Sequence, residues 1–374
     1  MAEVVSSTVP TETDSTPVGR VRIGDVALLA ETSVSTVSNY LNGRPHRMAP
    51  ETVARIEQVI DRLGYRPSWA ARQLKTGFVP MLGLLVPSVA NPFHGALARH
   101  VEEAALERGF QVVFGSSLRN PAREVRYAED FWNFGIRGVI IGSSPLDLGH
   151  LADLQRRGLR IVVFDRNISA AESAPSVDSV SMDNCAAGYL ATRHLIELGH
   201  RHIGYISGAT PTASRRDRFE GYRKGLTEVG IPVDAALIPN MPVAVGYDDT
   251  HGSEVGRSIA FALLQAEPHL TGLVALNDMY AIGACAAVRE LGMTVPEDIS
   301  VTSIDDIMLA GIVDPPLTTV HHPIEALSVA AVERLVARLQ GKADEPPQHL
   351  VLAPEIVVRR STGRPKKRKA LRSS

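Results

Sequence analysis

The residues best suited to chemistry stand directly behind apolar runs. Asn91 to His94 follow MLGLLVP, Asp165 and Arg166 follow RIVVF, Asn277 and Asp278 follow LVAL, and Asp305 and Asp306 follow ISVTSI. Carboxylates, a guanidinium and amides collected at strand ends are equipped to hydrogen-bond a polar ligand. A second set is SVSTVSNYLNG, residues 33–43, an amphipathic helix whose outer face carries no charged residue. Ser33, Thr36 and Ser38 can hydrogen-bond phosphate oxygens with help from the helix N-terminus. Val34 can touch a thymine methyl, and Asn39 can pair with adenine N6 and N7. A Ser/Thr-rich surface helix of no special role is the plain alternative. GxGxxG, P-loop and GxSxG motifs and metal-ligand clusters are absent from the sequence, so enzyme chemistry and a bound cofactor are not expected. His200 and His202 in GHRH read as surface histidines.

These groups must be positioned by a chain of 374 residues, enough for two or three domains. An apolar fraction of 44% and a charged fraction of 21% are those of a globular protein. The net charge of −2 exerts no global pull on nucleic acid or membrane, so any basic function is local. Cys185 and Cys285 stand far apart and imply neither disulfide framework nor zinc site, which fits a reducing cytoplasm. No run approaches the ~18 apolar residues of a membrane span, and residues 1–20 lack the pattern of a secretory signal. They read as a disordered polar tail.

Residues 21–65 read as three short helices. Ile23, Val26, Ala27 and Ala30 form the first stripe. Val37, Tyr40 and Leu41 face inward on the second, and Val53, Ile56, Val59, Ile60 and Leu63 on the third, with Pro50 at its first position. Two helices joined by a short break with a third behind form a helix-turn-helix arrangement, whose second helix enters the major groove. Residues 66–80 are a basic linker with a short helical core. From residue 81 to 362 short Val/Ile/Leu strands alternate with amphipathic helices: four strands in the first half and three in the second. That pattern predicts two doubly wound parallel sheets, with ligands beyond the carboxyl ends of the strands.

VRIGDVALLAETSVSTVSNYLNG and LGYRPSWAARQLKTG resemble the DNA-binding head and hinge of the lactose-repressor (LacI/GalR) family. NPFHGALARHVEEAALERG, IVVFDRN, HLIELGHRHIGYISG, RRDRFEGYRKGL, ALNDMYAIG, ISVTSIDD and DPPLTTVHHP are similar to that family's core, in order, so the likeness runs over residues 21–362. It implies a cytoplasmic, nucleoid-associated repressor that binds a pseudo-palindromic operator as a homodimer, switched by a small molecule, often a sugar. The implied fold is that of periplasmic sugar-binding proteins, with the chain crossing three times between two subdomains. A periplasmic-type sugar-binding protein is the alternative, disfavoured by the helix-turn-helix and by the lack of a signal segment.

The resemblance also implies roles. Val34, Ser35 and Asn39 match base-reading positions, and Ser33, Thr36, Ser38 and Asn42 match phosphate or positioning contacts. Leu74 stands where a leucine wedges into the minor groove, with Arg72 beside it suited to phosphates. Phe93, Asp165, Arg166, Arg218, Asn277 and Asp305 match a sugar-binding set, His251 and His322 match further pocket positions, and His94 replaces a common aromatic. Departures are Arg22 for a capping Thr, Glu31-Thr32 for Gly-Val in the turn, Asn39 for a common Arg, and Ser303 for a Gly before Asp305. The loop GRPHRMAP is one residue longer than the commonest form. The end, residues 363–374, reads as a basic disordered tail without the leucine heptads of a tetramerising helix, which favours a dimer.

Overall fold

In the computed structural model, which describes residues 21–41, 44–65, 79–167, 177–208, 212–239, 250–341 and 345–366, the chain divides into two units, Met1–Gly77 and Phe78–Ser374. Helices Ile23–Leu29, Val34–Leu41 and Pro50–Leu63 build the first around a small core. Val26, Ala27, Ala30, Val37 and Ile56 are buried there, and Ile23, Tyr40, Leu41, Val59, Ile60 and Leu63 pack around them, following the spacing read from the sequence. Pro50 opens its helix, and Gly64 closes it at φ 57°, a left-handed position that costs glycine least. The first helix lacks a Thr cap, and Asp25 supplies half of a capping box by accepting the Arg22 amide at 2.6 Å. The turn keeps its left-handed residue although Gly is missing: Glu31 sits at φ 49°.

In the second unit a six-stranded sheet has the order β10-β5-β4-β3-β1-β2 and a five-stranded sheet the order β11-β9-β8-β7-β6. The first contains β1 (Met81–Val86), β2 (Gln111–Ser116), β3 (Gly138–Ile141), β4 (Arg160–Phe164), β5 (Asp178–Met182) and β10 (His349–Leu352). The second contains β6 (Ile203–Ile206), β7 (Gly272–Ala275), β8 (Ser300–Asp305), β9 (Thr318–His321) and β11 (Glu355–Val357). All pairings are parallel except that of β11 with β9. Both faces of the first sheet are covered. Leu82, Leu84, Val86, Ile140, Val162 and Phe164 enter one core cluster, while Leu85, Val139, Ile141, Ile161 and Val163 enter the other. This two-sided burial is why these strands are continuously apolar.

The chain passes between the sheets after β5, after β9 and between β10 and β11, giving the three crossings that the resemblance implies. β5, β9, β10 and β11 are strands that the sequence pattern did not reveal. β5 is buried throughout although it reads DSVSM, because its polar groups find partners inside. Ser179 Oγ meets His349 Nδ1 at 2.9 Å, Ser181 Oγ donates to the Met182 carbonyl at 2.6 Å, and Arg338 grips Asp178 through both carboxylate oxygens at 2.6 and 2.9 Å.

The edges of the unit also differ from the sequence reading. Val79, placed in the linker, is buried in the same cluster as Leu85 and Ile161. At the other end Gly363 is held: its amide donates to Ser300 Oγ at 3.0 Å. His200, expected at the surface, is buried and binds Thr271 Oγ1 and the Gly363 carbonyl, each at 2.9 Å. The strand start that suggested exposure is covered by the returning C-terminal segment. His202 is exposed as expected.

Candidate functional site

The helix Val34–Leu41 buries Val37 completely, which turns the neighbouring positions outward. Ser33, Val34 and Ser35 are exposed, while Thr36, Ser38 and Asn39 are half-buried. Ser33 is engaged within the helix start. Its Oγ accepts the Thr36 amide at 3.1 Å, an N-cap, and meets Ser35 Oγ at 2.6 Å and Thr36 Oγ1 at 2.9 Å. Three hydroxyls thus sit at the positive end of the helix dipole, where an anion is favoured. Tyr40 fixes the helix from its inner side by donating to Glu57 at 2.9 Å. Asn42, Arg72 and Leu74 lie outside the described residues.

In the second unit a narrow polar cleft, with a volume of about 30 Å³, opens between the two sheets. Phe93 and His94 reach it from the start of the helix Pro92–Glu107, Asp165 from the end of β4, Arg218 from the helix Ala213–Glu228, Asn277 from beyond β7, and Asp305 from the end of β8. Those strands point their carboxyl ends at it, as doubly wound sheets require. At its centre lies a buried charge relay between subdomains. Arg218 is 3.0 Å from Asp305 and 3.9 Å from Asp165, and also donates to the Leu276 carbonyl at 3.0 Å. Asn184, from the first crossing, links both sides: its amide donates to Asp165 at 2.7 Å and its oxygen accepts from Arg218 at 2.8 Å. Asp165 and Asp305 hold left-handed backbone, φ 58° and 116°, conformations that concentrate at ligand sites.

His322 does not line the cleft. It is buried from the second crossing, with Nε2 3.4 Å from Asp165, edge-on to Phe93 and stacked on Phe164. It braces Asp165 and the ring of Phe93 from the side. Arg166 is buried but is not among the lining residues. His251 departs from the expectation: it is exposed at the head of the helix Gly252–Ala266, 2.9 Å from Glu254, and does not line the cleft. Its ring lies on the solvent side of the helix start, where a carboxylate of the first turn meets it. Ser303 lies behind the wall, its hydroxyl donating to Asp278. Asn91, read from the sequence as a polar residue at a strand end, lines the cleft, and Arg119, Ser144, Ser214 and Arg215 line it without having been singled out from the sequence. Asn91 is also the cap residue before Pro at the start of the helix Pro92–Glu107. Its oxygen accepts the Phe93 amide at 3.0 Å.

Burial acts differently on the three carboxylates. It pushes Asp165 up, but the hydrogen bond and charge of His322, with Arg218 and Asn184, outweigh it and hold the group below its usual range. Asp305 is pushed up to about 7, because burial, with Asp278 nearby, outweighs Arg218. Asp278 accepts from Ser303, from Thr319 at 2.6 Å and from the Ile307 amide at 2.7 Å, yet burial raises it to about 6. A carboxyl raised in the folded state binds more protons there than in the unfolded chain. Stability from Asp278 and Asp305 is therefore greatest below pH ~4 and is lost as pH rises through about 6 to 7. Asp165 has the opposite sign: its stabilising contribution is present above the ordinary Asp value and is lost on acidification below it. Between pH 5 and 8 the two raised groups dominate. We expect the thermal midpoint of the core to fall across that interval, and Asp278→Asn to flatten the slope. A midpoint that rises from pH 5 to 8 contradicts the assignment.

A family model of bacterial regulatory proteins, lacI family, matches residues 22–68, and one of a periplasmic binding protein-like domain matches residues 192–362. The chain is 32% identical over 343 residues to the HTH-type transcriptional regulator DegA of Bacillus subtilis, covering 91% of this chain and 97% of that protein. It is 31% identical to the HTH-type transcriptional regulator GalR of Salmonella typhimurium, covering 92% and 96%. The chain belongs to the lacI family of bacterial regulatory proteins. Its fold matches the lac repressor dimer bound to operator and the anti-inducer ONPF, with TM-score 0.79, 25% identity and coverage of 92% of this chain and 99% of that one. It also matches a complex of the transcriptional regulator CelR with cellobiose, with TM-score 0.66, 28% identity and coverage of 91% and 100%. A lacI-family member of this build is a DNA-binding transcriptional regulator, with a regulatory rather than a transport role. Its relatives are regulators, not enzymes. Among the described residues no helix is long and apolar enough to cross a membrane.

Proposed function

We propose that this lacI-family regulator is a cytoplasmic homodimeric repressor that reads a pseudo-palindromic operator and releases it when a neutral, polyhydroxylated ligand occupies the core cleft. It acts by binding, with no catalytic step. The observation that carries the reading is the relay Asp165–Asn184–Arg218–Asp305, buried and drawn from both subdomains. Alternating fixed acceptors and donors suit vicinal hydroxyls, and the ring of Phe93 suits the C–H face of a sugar. Arg218 already faces two carboxylates, so an anionic ligand would have to compete with them. The structural relative carrying cellobiose supports a sugar.

A ligand shifts an equilibrium only by binding one state better than the other. Closure has a contact to act on. The amides of Ala213 and Ser214, at the start of a helix in one subdomain, donate at 3.1 Å to the carbonyl and hydroxyl of Ser144 in the other. A ligand that reinforces this seam favours the closed core, and movement of the subdomain that follows the linker is what the head would feel. On the DNA side Val34, Ser35 and Asn39 read bases, while Thr36, Ser38, Asn42 and Arg72 position the backbone and Leu74 wedges the minor groove.

The test is selection from randomised duplex DNA, with and without a panel of neutral sugars. A dimer enriches a two-fold symmetric site, and an effective sugar abolishes the enrichment. Asn39→Ala should relax preference at one symmetric base pair by about 1–3 kcal/mol and leave the others intact. An unchanged preferred sequence contradicts the assignment of Asn39 as a base reader. A phosphorylated sugar, nucleobase or amino acid as the only tight ligand contradicts the neutral-sugar reading.

A further inference from the structure

Residues 364–372, RPKKRKALR, carry six cations and no carboxylate in a chain whose net charge is −2, and they belong neither to the cleft nor to the helix-turn-helix head. The fold fixes where that run leaves the core. Gly363, directly before it, is tied at both backbone groups: its amide donates to Ser300 Oγ at 3.0 Å, and its carbonyl meets His200 Nε2 at 2.9 Å. His200 stands just before β6 and Ser300 is the first residue of β8, so both mark the amino edge of the second sheet. The cleft lies at the carboxyl ends of the same strands, and the run departs from the opposite side of this subdomain. The chain enters the core on the other subdomain, at Val79. From this placement we infer that residues 364–372, with the basic edge from which they leave, form a second nucleic-acid contact, one that grips the phosphate backbone of a duplex other than the operator.

The edge itself suits phosphate. Arg364 and Lys366 are exposed. Arg201, next to His200, is exposed too, and its Nη1 donates to the carbonyls of Ile196 and His200 at 3.1 and 2.8 Å, which holds the guanidinium at this edge. His202 and His269 are exposed with ring centroids 6.5 Å apart, and an imidazole N–H donates to a phosphate oxygen whether or not the ring is charged. Two carboxylates within two residues of these contacts are engaged: Glu197 meets Arg193 at 3.1 Å, and Asp298 accepts the Thr294 amide at 2.9 Å and its hydroxyl at 2.8 Å. Composition selects the partner. A protein or a membrane would need large apolar or aromatic anchors, and the run offers only Pro365, Ala370 and Leu371. A phosphate backbone needs closely spaced charge alone, since a duplex carries one negative charge per ~1.7 Å of its axis.

The experiment holds the full chain on an immobilised duplex at low salt and adds a second, labelled duplex of unrelated sequence. Wild type should capture the second duplex, with an affinity that falls with the logarithm of salt at a slope of about −5, as six neutralised phosphates require. Arg364→Gln, Lys366→Gln, Lys367→Gln, Arg368→Gln, Lys369→Gln and Arg372→Gln together should leave the first duplex held within about threefold and weaken capture of the second by about tenfold or more. A companion that exchanges Lys for Arg and Arg for Lys at the same positions keeps the charge and should capture as wild type does. Undiminished capture by the glutamine variant overturns the contact. So does a wild type that captures no second duplex, or captures one without a salt slope. Loss of capture in the charge-keeping companion overturns recognition by charge. Binding to phosphatidylserine vesicles with none to duplex overturns the nucleic-acid partner.

Discussion

Arg218→Met is expected to lower effector affinity by a hundredfold or more and to destabilise the core by about 3–5 kcal/mol. The physical reason is what remains behind. Arg218 is the cation facing both Asp305 and Asp165, and all three groups are buried. Removing the guanidinium takes a compensating charge from buried Asp165, which is held ionised, and pushes Asp305, already raised to about 7, further toward its protonated form. Asn184 loses the donor to its oxygen, and the Leu276 carbonyl loses its guanidinium. Arg218→Lys should retain part of the stability and little of the affinity, because an ammonium lacks the fork that meets Asn184, the Leu276 carbonyl and Asp305 at once. The double variant Arg218→Met/Asp305→Asn should recover stability relative to Arg218→Met and remain defective in binding. Urea unfolding followed by circular dichroism measures the first effect, and calorimetry with the effective sugar the second. Wild-type stability in Arg218→Met would contradict the buried relay.

Gly188→Ala should be of similar size, although it adds only a methyl group. The helices Asn184–Glu197 and Ala213–Glu228 approach backbone to backbone: a Cβ on Gly188 would lie 2.0 Å from the Arg218 carbonyl oxygen, and one on Gly221 would lie 2.1 Å from that of Cys185. Backbone cannot step aside as a side chain can, so the helices must separate. Overpacking of this kind costs about 1–3 kcal/mol and more when the obstacle is rigid. We expect more than 3 kcal/mol, together with weaker ligand binding, since the displaced residue is Arg218 itself. Gly95→Ala is the control. It lies in the helix Pro92–Glu107 with nothing within 4 Å of its added Cβ, so the substitution should be neutral or stabilise by up to about 1 kcal/mol. Equal unfolding midpoints for Gly188→Ala and wild type would contradict the close approach.

Much of this molecule was legible in the order of its residues. The three-helix head and the continuously apolar strands follow from local periodicity, because each such residue is buried by the period of its own element. The cleft set was legible for a related reason: in doubly wound sheets the ligand edge is the carboxyl end of every strand, so polar residues behind apolar runs converge whatever the intervening length. Phe93, His94, Asp165, Arg218, Asn277 and Asp305 do converge. Tertiary structure alone decided the rest. β5 is hidden in the sequence because its buried polar groups are satisfied by residues 160 or more positions away, His349 and Arg338. Asn184 joins the two charges only because the chain crosses between subdomains at that point. His251 and His322 look alike as isolated histidines. One is turned to solvent by its helix start, and the other is enclosed by Phe93, Phe164 and Asp165, contacts that distant segments supply.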